Sequence, residues 1–313
     1  MPAESRASLI DRLPPVRGEL LASSPLARFS WFKVGGMAEV LFHPADEGDL
    51  SQFLAGTPLD VPIMVIGNSS NLLIRDGGVD GVVIRLGRAF SGVRAEGTNI
   101  TAGAAAADVN IARYALNAGI SGLEFLTGVP GTLGGGILMN AGAYGAEISD
   151  VLIEVRVLDR DGNIQMLAKK DIGFSYRTSN LFDDRIVVSA SLGGRKRKND
   201  EIVKRMEKIQ RDREATQPIR TRTGGSTFKN PDGFKAWELI DAAGCRGLSR
   251  GSATVSEQHC NFLINRGGAS AADLEGLGEE VRRRVKAHSG ILLEWEIRCI
   301  GKPLSTNLNE VTS

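Results

Sequence analysis

Apolar residues near the end of the chain recur every three or four positions. This spacing places them on one face of a helix, and the residues concerned are Leu274, Leu277, Val281 and Val285. Ser270 followed by Asp273 has the form of a capping box, so the helix is predicted to begin there. Gly290 is predicted to end it, because glycine readily adopts the left-handed conformation found at helix ends.

Two shorter helices are predicted in the first half of the chain. One has Asp46 as its N-cap and ends at Gly56, and its apolar face carries Leu50, Phe53 and Leu54. The other has Asp108 as its cap and ends at Gly119, and its apolar face carries Ile111, Ala112, Ala115 and Leu116. Both caps rest on the same argument, that a short acidic side chain accepts hydrogen bonds from the first free N–H groups of a helix.

Two more helices are predicted after residue 195. The segment 195–222 holds eleven Lys and Arg against five Asp and Glu, and its apolar stripe is Ile202, Met206 and Ile209. Its basic face is either simply solvated or faces a phosphorylated ligand, and Pro218 ends the helix. The positions of Trp237, Ile240 and Ala243 suggest another helix, which is closed by Gly244.

Strand patterns separate these helices. The run 62–66 is wholly apolar, 151–158 alternates, and Asp161-Gly162 is a hairpin turn. In chain order, strands are predicted at 38–42, 62–66, 81–86, within 93–103, at 151–158, 164–167, 186–192, 261–265 and 291–300. The mixture predicts an α+β fold.

Bulk composition is that of an ordinary globular protein. The chain has 313 residues, is 42% hydrophobic and 24% charged, and carries a net charge of +1, which does not favour nucleic acid or a membrane surface as a partner. Three scattered cysteines and no Cys-x-x-Cys argue against a disulfide framework and a zinc site. With no signal-peptide pattern at the N-terminus, we expect a cytoplasmic protein.

Glycine is concentrated in a few places. Seven of the nineteen residues in 127–145 are glycine, interleaved with Val, Leu, Ile and Met, which favours a wall for a flat or anionic ligand over a flexible linker. The apolar strand 62–66 runs into Gly67-Asn68-Ser69-Ser70-Asn71. Such a loop can direct N–H and hydroxyl groups at a phosphate, although a plain β-turn remains an alternative.

Three residues pair a reactive group with unusual surroundings. Arg177 lies among hydroxyl residues in 173–179, Ser226 follows two glycines, and Glu296 lies in the alternating segment 293–298. A carboxyl group among apolar neighbours can act as an acid. Each also has a purely structural explanation: an ion pair for Arg177, a turn for Ser226, and a surface charge for Glu296. Taken alone, these patterns predict an enzyme with a phosphate-bearing cofactor or ligand and do not name its reaction.

Eight motifs in order resemble the UDP-N-acetylenolpyruvoylglucosamine reductase family over about residues 28–301. They are Phe32–Gly36, Gly67–Leu73, Gly128–Gly135, Met139–Gly145, Phe174–Ser179, Gly225–Pro231, Val255–Asn265 and Leu293–Arg298. The resemblance implies a three-domain α+β flavoprotein with an FAD-binding module of the vanillyl-alcohol-oxidase (PCMH) type and a C-terminal α+β substrate domain. The chain is similar to the shorter subtype, which lacks an inserted loop with a tyrosine.

Domain boundaries follow from this resemblance and from the element pattern. We expect an N-terminal arm at 1–27, FAD-binding subdomains at 28–87 and 88–195, and a substrate-binding domain at 196–290. The last strand, 291–301, is assigned to the second subdomain as an option.

The resemblance also implies roles for individual residues. The predicted catalytic residues are Arg177, Ser226 and Glu296. Predicted contacts to FAD are Gly67, Asn68, Ser69, Ser70, Asn71, Gly128, Gly131, Thr132, Gly134, Gly135, Asn140 and Gly142. Predicted contacts to the substrate are Tyr176, Lys229 and Asn230.

The reaction implied is reduction of UDP-N-acetylglucosamine enolpyruvate to UDP-N-acetylmuramate, a step of peptidoglycan precursor synthesis. NADPH supplies the hydride through non-covalently bound FAD. Arg177 and Glu296 would stabilise an enediolate, and Ser226 would supply a proton. We expect a monomer that needs no metal. Two alternatives remain: a related flavin oxidase, although the loops 67–72 and 127–145 lack the His or Cys for covalent flavin attachment, and a non-catalytic nucleotide-sugar sensor.

Overall fold

The computed structural model describes residues 8–181 and 185–304. The first seven residues of the predicted N-terminal arm lie outside the described residues. The helices are α1 Glu47–Gly56, α2 Asp108–Asn117, α3 Leu133–Leu138, α4 Ile148–Val151, α5 Asn199–Thr216, α6 Ala236–Ala242 and α7 Ala271–Ser289. Short 3-10 helices are Leu9–Arg12, Arg88–Phe90, Glu124–Gly128 and Lys169–Asp171.

The strands follow the same chain order. They are β1 Glu19–Pro25, β2 Met37–His43, β3 Ile63–Ile66, β4 Leu72–Ile74, β5 Val79–Arg85, β6 Val93–Glu96, β7 Asn99–Gly103, β8 Ile120–Ser121, β9 Gly142–Ala143, β10 Ala146–Glu147, β11 Leu152–Leu158, β12 Ile164–Ala168, β13 Ile186–Gly193, β14 Arg195–Lys196, β15 Arg222–Ser226, β16 Ser249–Arg250, β17 Ala253–Val255, β18 Phe262–Asn265 and β19 Arg298–Ile300. Among the described residues, no helix is both long and apolar enough to cross a bilayer.

The described chain divides into two compact units that are interleaved in sequence. The first comprises 8–22, Val40–Asn68 and Gly81–Thr216, and the second comprises Ser23–Glu39, Ser69–Asp80 and 217–304. These units differ from the predicted boundaries. Helix α5 lies in the first unit, where Ile202 and Met206 join an apolar cluster, whereas the sequence assigns residues 196–290 to a substrate-binding domain.

The first unit contains two sheets and two apolar clusters. A four-stranded sheet has the order β1-β2-β5-β3, and its β3 and β5 run parallel. Helix α1 contributes Leu50, Phe53 and Leu54 to the cluster beside this sheet. A five-stranded antiparallel sheet has the order β12-β11-β13-β7-β6. The apolar cluster beside this sheet includes Ile111 from α2 and Leu133 from α3. The glycine-rich segment 127–145 is therefore anchored to this core through α3.

The second unit is built around one antiparallel sheet with the order β15-β18-β17-β16. Helices α6 and α7 contribute Ile240, Leu274 and Val281 to its core. A separate parallel pair joins β4 to β19. The predicted strand 291–300 is therefore too long, because only its last three residues form a strand. Its predicted alternation is nevertheless visible, since Leu293 and Ile297 are buried and Glu294 is exposed.

Two of the predicted helix caps are confirmed. The Asp46 carboxylate accepts a hydrogen bond from the Asp49 N–H at 2.9 Å, at the start of α1. At the start of α7, the Ser270 hydroxyl accepts from the Asp273 N–H and the Asp273 carboxylate accepts from the Ser270 N–H, both at 3.0 Å. Gly290 follows α7 with φ of 77°, in the left-handed region.

The predicted cap at Asp108 is wrong. Ala107 is the N-cap, and Asp108 is the first helical residue of α2. Its side chain is fully buried, and neither carboxyl oxygen has a hydrogen-bond partner within the described part of the chain. Burial raises the pKa of Asp108 to about 8, because a charge is costly where water is excluded. The sequence pattern identified a polar residue near a helix start and could not show that it points inward.

Candidate functional site

The two loops predicted to hold FAD meet within the first unit. The Asn68 side-chain amide donates to the Gly131 carbonyl at 3.3 Å. A Cβ placed on Gly67 would collide with the Thr132 hydroxyl, so the turn after β3 lies directly against the start of α3. Loop 67–71 then continues into the second unit at Ser69, which has φ of 51°.

Several glycines of these loops have close neighbours inside the protein. A Cβ on Gly128 would stand 2.7 Å from the Tyr144 ring, and one on Gly134 would stand 3.1 Å from the Ala104 Cβ. A Cβ on Gly142 would stand 2.8 Å from the Glu147 Cβ. The close packing therefore explains these glycines, whether or not each also lies against a ligand.

Gly135 has no such internal reason to be glycine. It is exposed, lies inside α3, and a Cβ there would meet only the Thr132 hydroxyl at an ordinary 3.8 Å. Glycine inside a helix costs about 0.5–1 kcal/mol relative to alanine. A ligand that approaches the main chain closely would account for this glycine, which fits a flat cofactor against α3.

A second feature also fits a phosphate-bearing cofactor. In the second unit, the Ser69 hydroxyl is buried and has no hydrogen-bond partner in the described residues. A buried hydroxyl normally has a partner, and a phosphate oxygen would provide one. Asn71 is already engaged, since its side-chain amide donates to the Glu296 carbonyl at 3.0 Å.

Arg177 lies at the corner of a tight turn in the first unit. Ser175 and Thr178 exchange two backbone hydrogen bonds of 3.1 and 3.2 Å, and Tyr176 and Arg177 form the tip. Arg177 has φ of 57°, a left-handed conformation that is uncommon for residues other than glycine. Its guanidinium donates to the Gly142 carbonyl at 3.2 Å and lies 4.9 Å from the Tyr176 ring centroid.

A buried polar network supports this turn. The Asn140 side chain is 1% exposed, and its NH₂ group donates to the Glu147 carboxylate at 2.9 Å and to the Ser175 carbonyl at 3.2 Å. Its oxygen accepts from the Ser149 N–H at 3.0 Å. The Asn140 carboxamide is thus directed at protein partners, although the sequence predicted an FAD contact for this residue.

Ser226 and Glu296 are brought close together in the second unit by backbone pairing. Ser226 ends β15, and the next carbonyl, that of Thr227, accepts from the Glu296 N–H at 2.9 Å. Phe228 pairs with Trp295 in an isolated bridge, with ring centroids 5.1 Å apart. Two segments far apart in sequence therefore run side by side, with Ser226 and Glu296 near the same end.

Asn261 anchors the segment that follows Ser226. Its side chain is 4% exposed, accepts from the Phe228 N–H at 2.9 Å and donates to the Phe228 carbonyl at 2.8 Å. The Asn261 carbonyl also accepts from the Thr227 N–H at 2.7 Å. One buried amide thus satisfies both backbone groups of a neighbouring residue.

The predicted substrate contacts are found in different settings. Lys229 forms a 3.4 Å ion pair with Glu294. The Asn230 side chain accepts from the Ala236 N–H at 3.0 Å, so it caps α6. Tyr176 is 47% exposed at the tip of the Arg177 turn.

Comparison with known proteins decides the family. A protein from Parvibaculum lavamentivorans named UDP-N-acetylenolpyruvoylglucosamine reductase is 60% identical over 301 residues, which are 96% of this chain and 97% of that protein. One of the same name from Azorhizobium caulinodans is 56% identical over 296 residues, covering 95% and 96%. This chain belongs to the UDP-N-acetylenolpyruvoylglucosamine reductase family.

Two domain families match separate parts of this reductase-family chain. Residues 38–168 match the FAD binding domain family, and residues 217–300 match the C-terminal domain of UDP-N-acetylenolpyruvoylglucosamine reductase. The crystal structure of UDP-N-acetylenolpyruvylglucosamine reductase from Thermus caldophilus aligns with a TM-score of 0.79 at 35% identity, covering 91% of this chain and 99% of that one. The predicted α+β flavoprotein fold and the resemblance to this family are confirmed.

The sequence did not indicate two residues that support the segments carrying the predicted site residues. Glu147 bonds to Asn140, and Asn261 bonds to Phe228. Glu147 and Asn261 have no local pattern that distinguishes them from surface residues. The available signal for Asn261 was its position beside the apolar run 262–264, where a polar residue next to a buried strand must find a partner. For Glu147, only the fold shows that it faces Asn140.

Proposed function

We propose that the protein catalyses the NADPH-dependent, FAD-mediated reduction of UDP-N-acetylglucosamine enolpyruvate to UDP-N-acetylmuramate, and so serves peptidoglycan precursor synthesis. The family relationship supports the reaction class. The observation that carries the residue assignment is the Arg177 turn, in which a strained arginine is held against the carbonyl of Gly142 in the predicted FAD loop. Backbone strain of this kind is typical of functional sites.

The FAD, when bound, supplies hydride transfer from the nicotinamide to the methylene carbon of the enolpyruvyl group. The hydride forms a C–H bond there, and the electron pair of the double bond moves toward the carboxylate. Arg177 would oppose the resulting charge through its guanidinium, and Glu296, when protonated, would donate a hydrogen bond to the same oxygens.

Ser226 would then deliver a proton to the carbon that carries the ether oxygen, which completes the addition of hydride and proton across the double bond. A serine hydroxyl is a weak acid, and after it donates its proton another group must replace that proton. Because Lys229 is paired with Glu294, we assign the replacement of the Ser226 proton to water. Tyr176, Lys229 and Asn230 remain proposed contacts to the sugar nucleotide.

The test is an anaerobic measurement of the two half-reactions. Purified protein with bound FAD should be bleached by NADPH and recoloured by UDP-N-acetylglucosamine enolpyruvate, with a product two hydrogens heavier. Running the first step with NADH compares the two donors. A protein that takes up no FAD, or a reduced flavin that the enolpyruvyl nucleotide leaves reduced, would overturn the proposal.

Ser226→Ala tests the proton donor. Reduction by NADPH should stay within about twofold of the wild type, while reoxidation by substrate should slow by about 10²-fold or more, the usual contribution of a positioned acid. Thr227→Val is the matched control, because it replaces an adjacent buried hydroxyl that has no partner among the described residues. Equal damage to both half-reactions in Ser226→Ala would remove Ser226 from the mechanism.

A further inference from the structure

The contacts around Arg177 form a closed ring. Asn140 donates to the Ser175 carbonyl at 3.2 Å, and Ser175 starts the turn that carries Arg177. Arg177 donates to the Gly142 carbonyl at 3.2 Å. Gly142 pairs with Glu147 across β9 and β10, and Glu147 accepts from Asn140 at 2.9 Å. Each member therefore restrains the next, and the ring returns to its start.

We propose that Glu147 and Asn140 are positioning residues that set the orientation of the Arg177 guanidinium. The inference rests on the proposed function, because it concerns how Arg177 meets the substrate carboxylate. Neither residue touches the substrate in this scheme. Both act on Arg177 indirectly. They hold the backbone turn that starts at Ser175 and carries Arg177, and they hold the Gly142 carbonyl that accepts from its guanidinium.

The geometry of Glu147 makes it the central member. One carboxylate oxygen, Oε1, accepts from the Asn140 NH₂ group at 2.9 Å and from the Ser149 hydroxyl at 2.6 Å. Its Cβ packs where a side chain on Gly142 would otherwise be, since a Cβ there would stand 2.8 Å away. Glu147 thereby fixes both the amide of Asn140 and the backbone that presents the Gly142 carbonyl.

Asn140 is suited to its position by backbone as well as side chain. Its φ is 42°, in the left-handed region that asparagine tolerates better than most residues. All three hydrogen bonds of its carboxamide are made to protein groups. The left-handed backbone turns the carboxamide inward, toward Ser175 and Glu147.

The test compares Glu147→Ala with Glu147→Gln. Alanine removes both bonds on Oε1, and we expect reoxidation by the enolpyruvyl nucleotide to slow about 10–100-fold, the scale expected when a catalytic group is displaced by about 1 Å. Glutamine keeps an acceptor oxygen, so it should restore the rate to within about twofold to threefold. FAD content, reduction by NADPH and the unfolding temperature should change little in either variant.

Asp150→Ala is the matched control. Asp150 is an exposed carboxylate on α4, whose N-cap is Glu147, and it accepts from the Glu147 N–H at 2.9 Å. The Asp150→Ala substitution loosens the same backbone without touching Asn140, and the reoxidation rate of this variant should stay near that of the wild type.

Steady-state kinetics give a further readout for Glu147→Ala. Its kcat should fall more than its KM changes.

A double-mutant cycle identifies the route. In an Arg177→Ala background, adding Glu147→Ala should cause no further loss, because the effect passes through the missing guanidinium. Additive losses, failure of glutamine to rescue, or parallel loss of FAD content and both half-reactions would overturn the inference. Wild-type protein that cannot be reoxidised by the enolpyruvyl nucleotide would instead refute the proposed function, which is a separate outcome.

Discussion

Two buried asparagines, one in each unit, hold the segments that carry the proposed catalytic residues, and they do so differently. The Asn261 side-chain amide bonds both the N–H and the carbonyl of Phe228, as a residue of a neighbouring strand would. Asn140 instead links a carboxylate, a backbone carbonyl and an N–H in a left-handed bend. The first arrangement is mainly a matter of stability. The second depends on charge and on the positions of a few side chains.

The contrast extends to the surrounding groups. The segment after Ser226 is held by Thr227 backbone bonds and by the packing of Phe228 on Trp295. The loops of the first unit lie near titratable groups, among them Glu147 and the buried Asp108, whose Oδ1 would be 3.7 Å from a Cβ on Gly136. We therefore expect substitution of the supporting Asn261 in the second unit to change stability more than rate. Substitution of the supporting Asn140 or of Asp108 in the first unit should instead change rate or pH response.

Asn261→Ala should have the largest effect. It leaves the buried Phe228 N–H and carbonyl without partners, at about 1–3 kcal/mol each, so the free energy of unfolding should fall by about 2–6 kcal/mol. The measurement is the midpoint of urea unfolding. A loss below about 1 kcal/mol would mean that water or a rearranged backbone replaces the amide, and the proposed contrast would fail.

Asp108→Asn should alter how stability responds to pH. The pKa of Asp108 is raised to about 8 by burial, so the folded protein binds a proton that the unfolded chain releases near pH 4. Its contribution is complete below about pH 4 and is lost as pH rises toward 8, at about 1.4 kcal/mol per pH unit. Asparagine does not titrate, so this slope should disappear from urea midpoints measured between pH 5 and 8.

An unchanged slope in Asp108→Asn would show that Asp108 is charged in the folded protein or that another group dominates. Glu154→Gln, a part-buried carboxylate in the same unit that accepts from Ser191 at 3.5 Å, is a suitable comparison. It should leave the slope nearly as in the wild type.

Asn140→Gly should separate rate from stability. Glycine adopts φ of 42° without strain, which offsets part of the lost hydrogen bonding. Reoxidation by the enolpyruvyl nucleotide should slow about 10–100-fold, while the unfolding midpoint should fall less than in Asn261→Ala. Stopped-flow kinetics and urea unfolding on the same samples decide the order. A larger stability loss at Asn140 than at Asn261 would reverse the comparison.

Gly135→Ala should have the smallest effect on stability, and of opposite sign. Because a Cβ on Gly135 would make only an ordinary 3.8 Å contact with the Thr132 hydroxyl, the protein without FAD should gain about 0.5–1 kcal/mol from the better helix former. If a cofactor lies on this face, FAD affinity should fall, as measured by titration of the FAD-free protein. Gly134→Ala is the control, because its Cβ would stand 3.1 Å from Ala104 and should lower stability.

The elements that the sequence predicted well have local causes. Helix α7 was predicted at both ends because Ser270 with Asp273 and the later Gly290 act within a few residues. Helix α1 was predicted for the same reason, through Asp46. Strand β11 was predicted from its alternation, and β12 from the hairpin turn at Asp161-Gly162, which are both local features of the chain.

The failures have non-local causes. The predicted strand 291–300 is short because Lys229 and Thr227 bond to it at single points and no neighbouring strand continues. The burial of Asp108 depends on α3 packing over it. The FAD contacts predicted at Gly128, Gly134 and Gly142 stay predictions, and the fold adds close protein neighbours, Tyr144, Ala104 and Glu147, that no local pattern indicates. Pattern reasoning could locate the loops and could not say what each glycine meets.

The interleaving of the second unit also bears on how such proteins can exchange parts. Residues 217–300 match a C-terminal domain, but the core of the unit also contains Phe32, Val34 and Leu73 from much earlier in the chain. Strand β19 pairs with β4, which lies at 72–74. A recombinant that took only its C-terminal segment from another protein would need that segment to pack against Phe32, Val34 and Leu73 and to pair with β4. Recombination at residue 216 should therefore be tolerated only between close relatives.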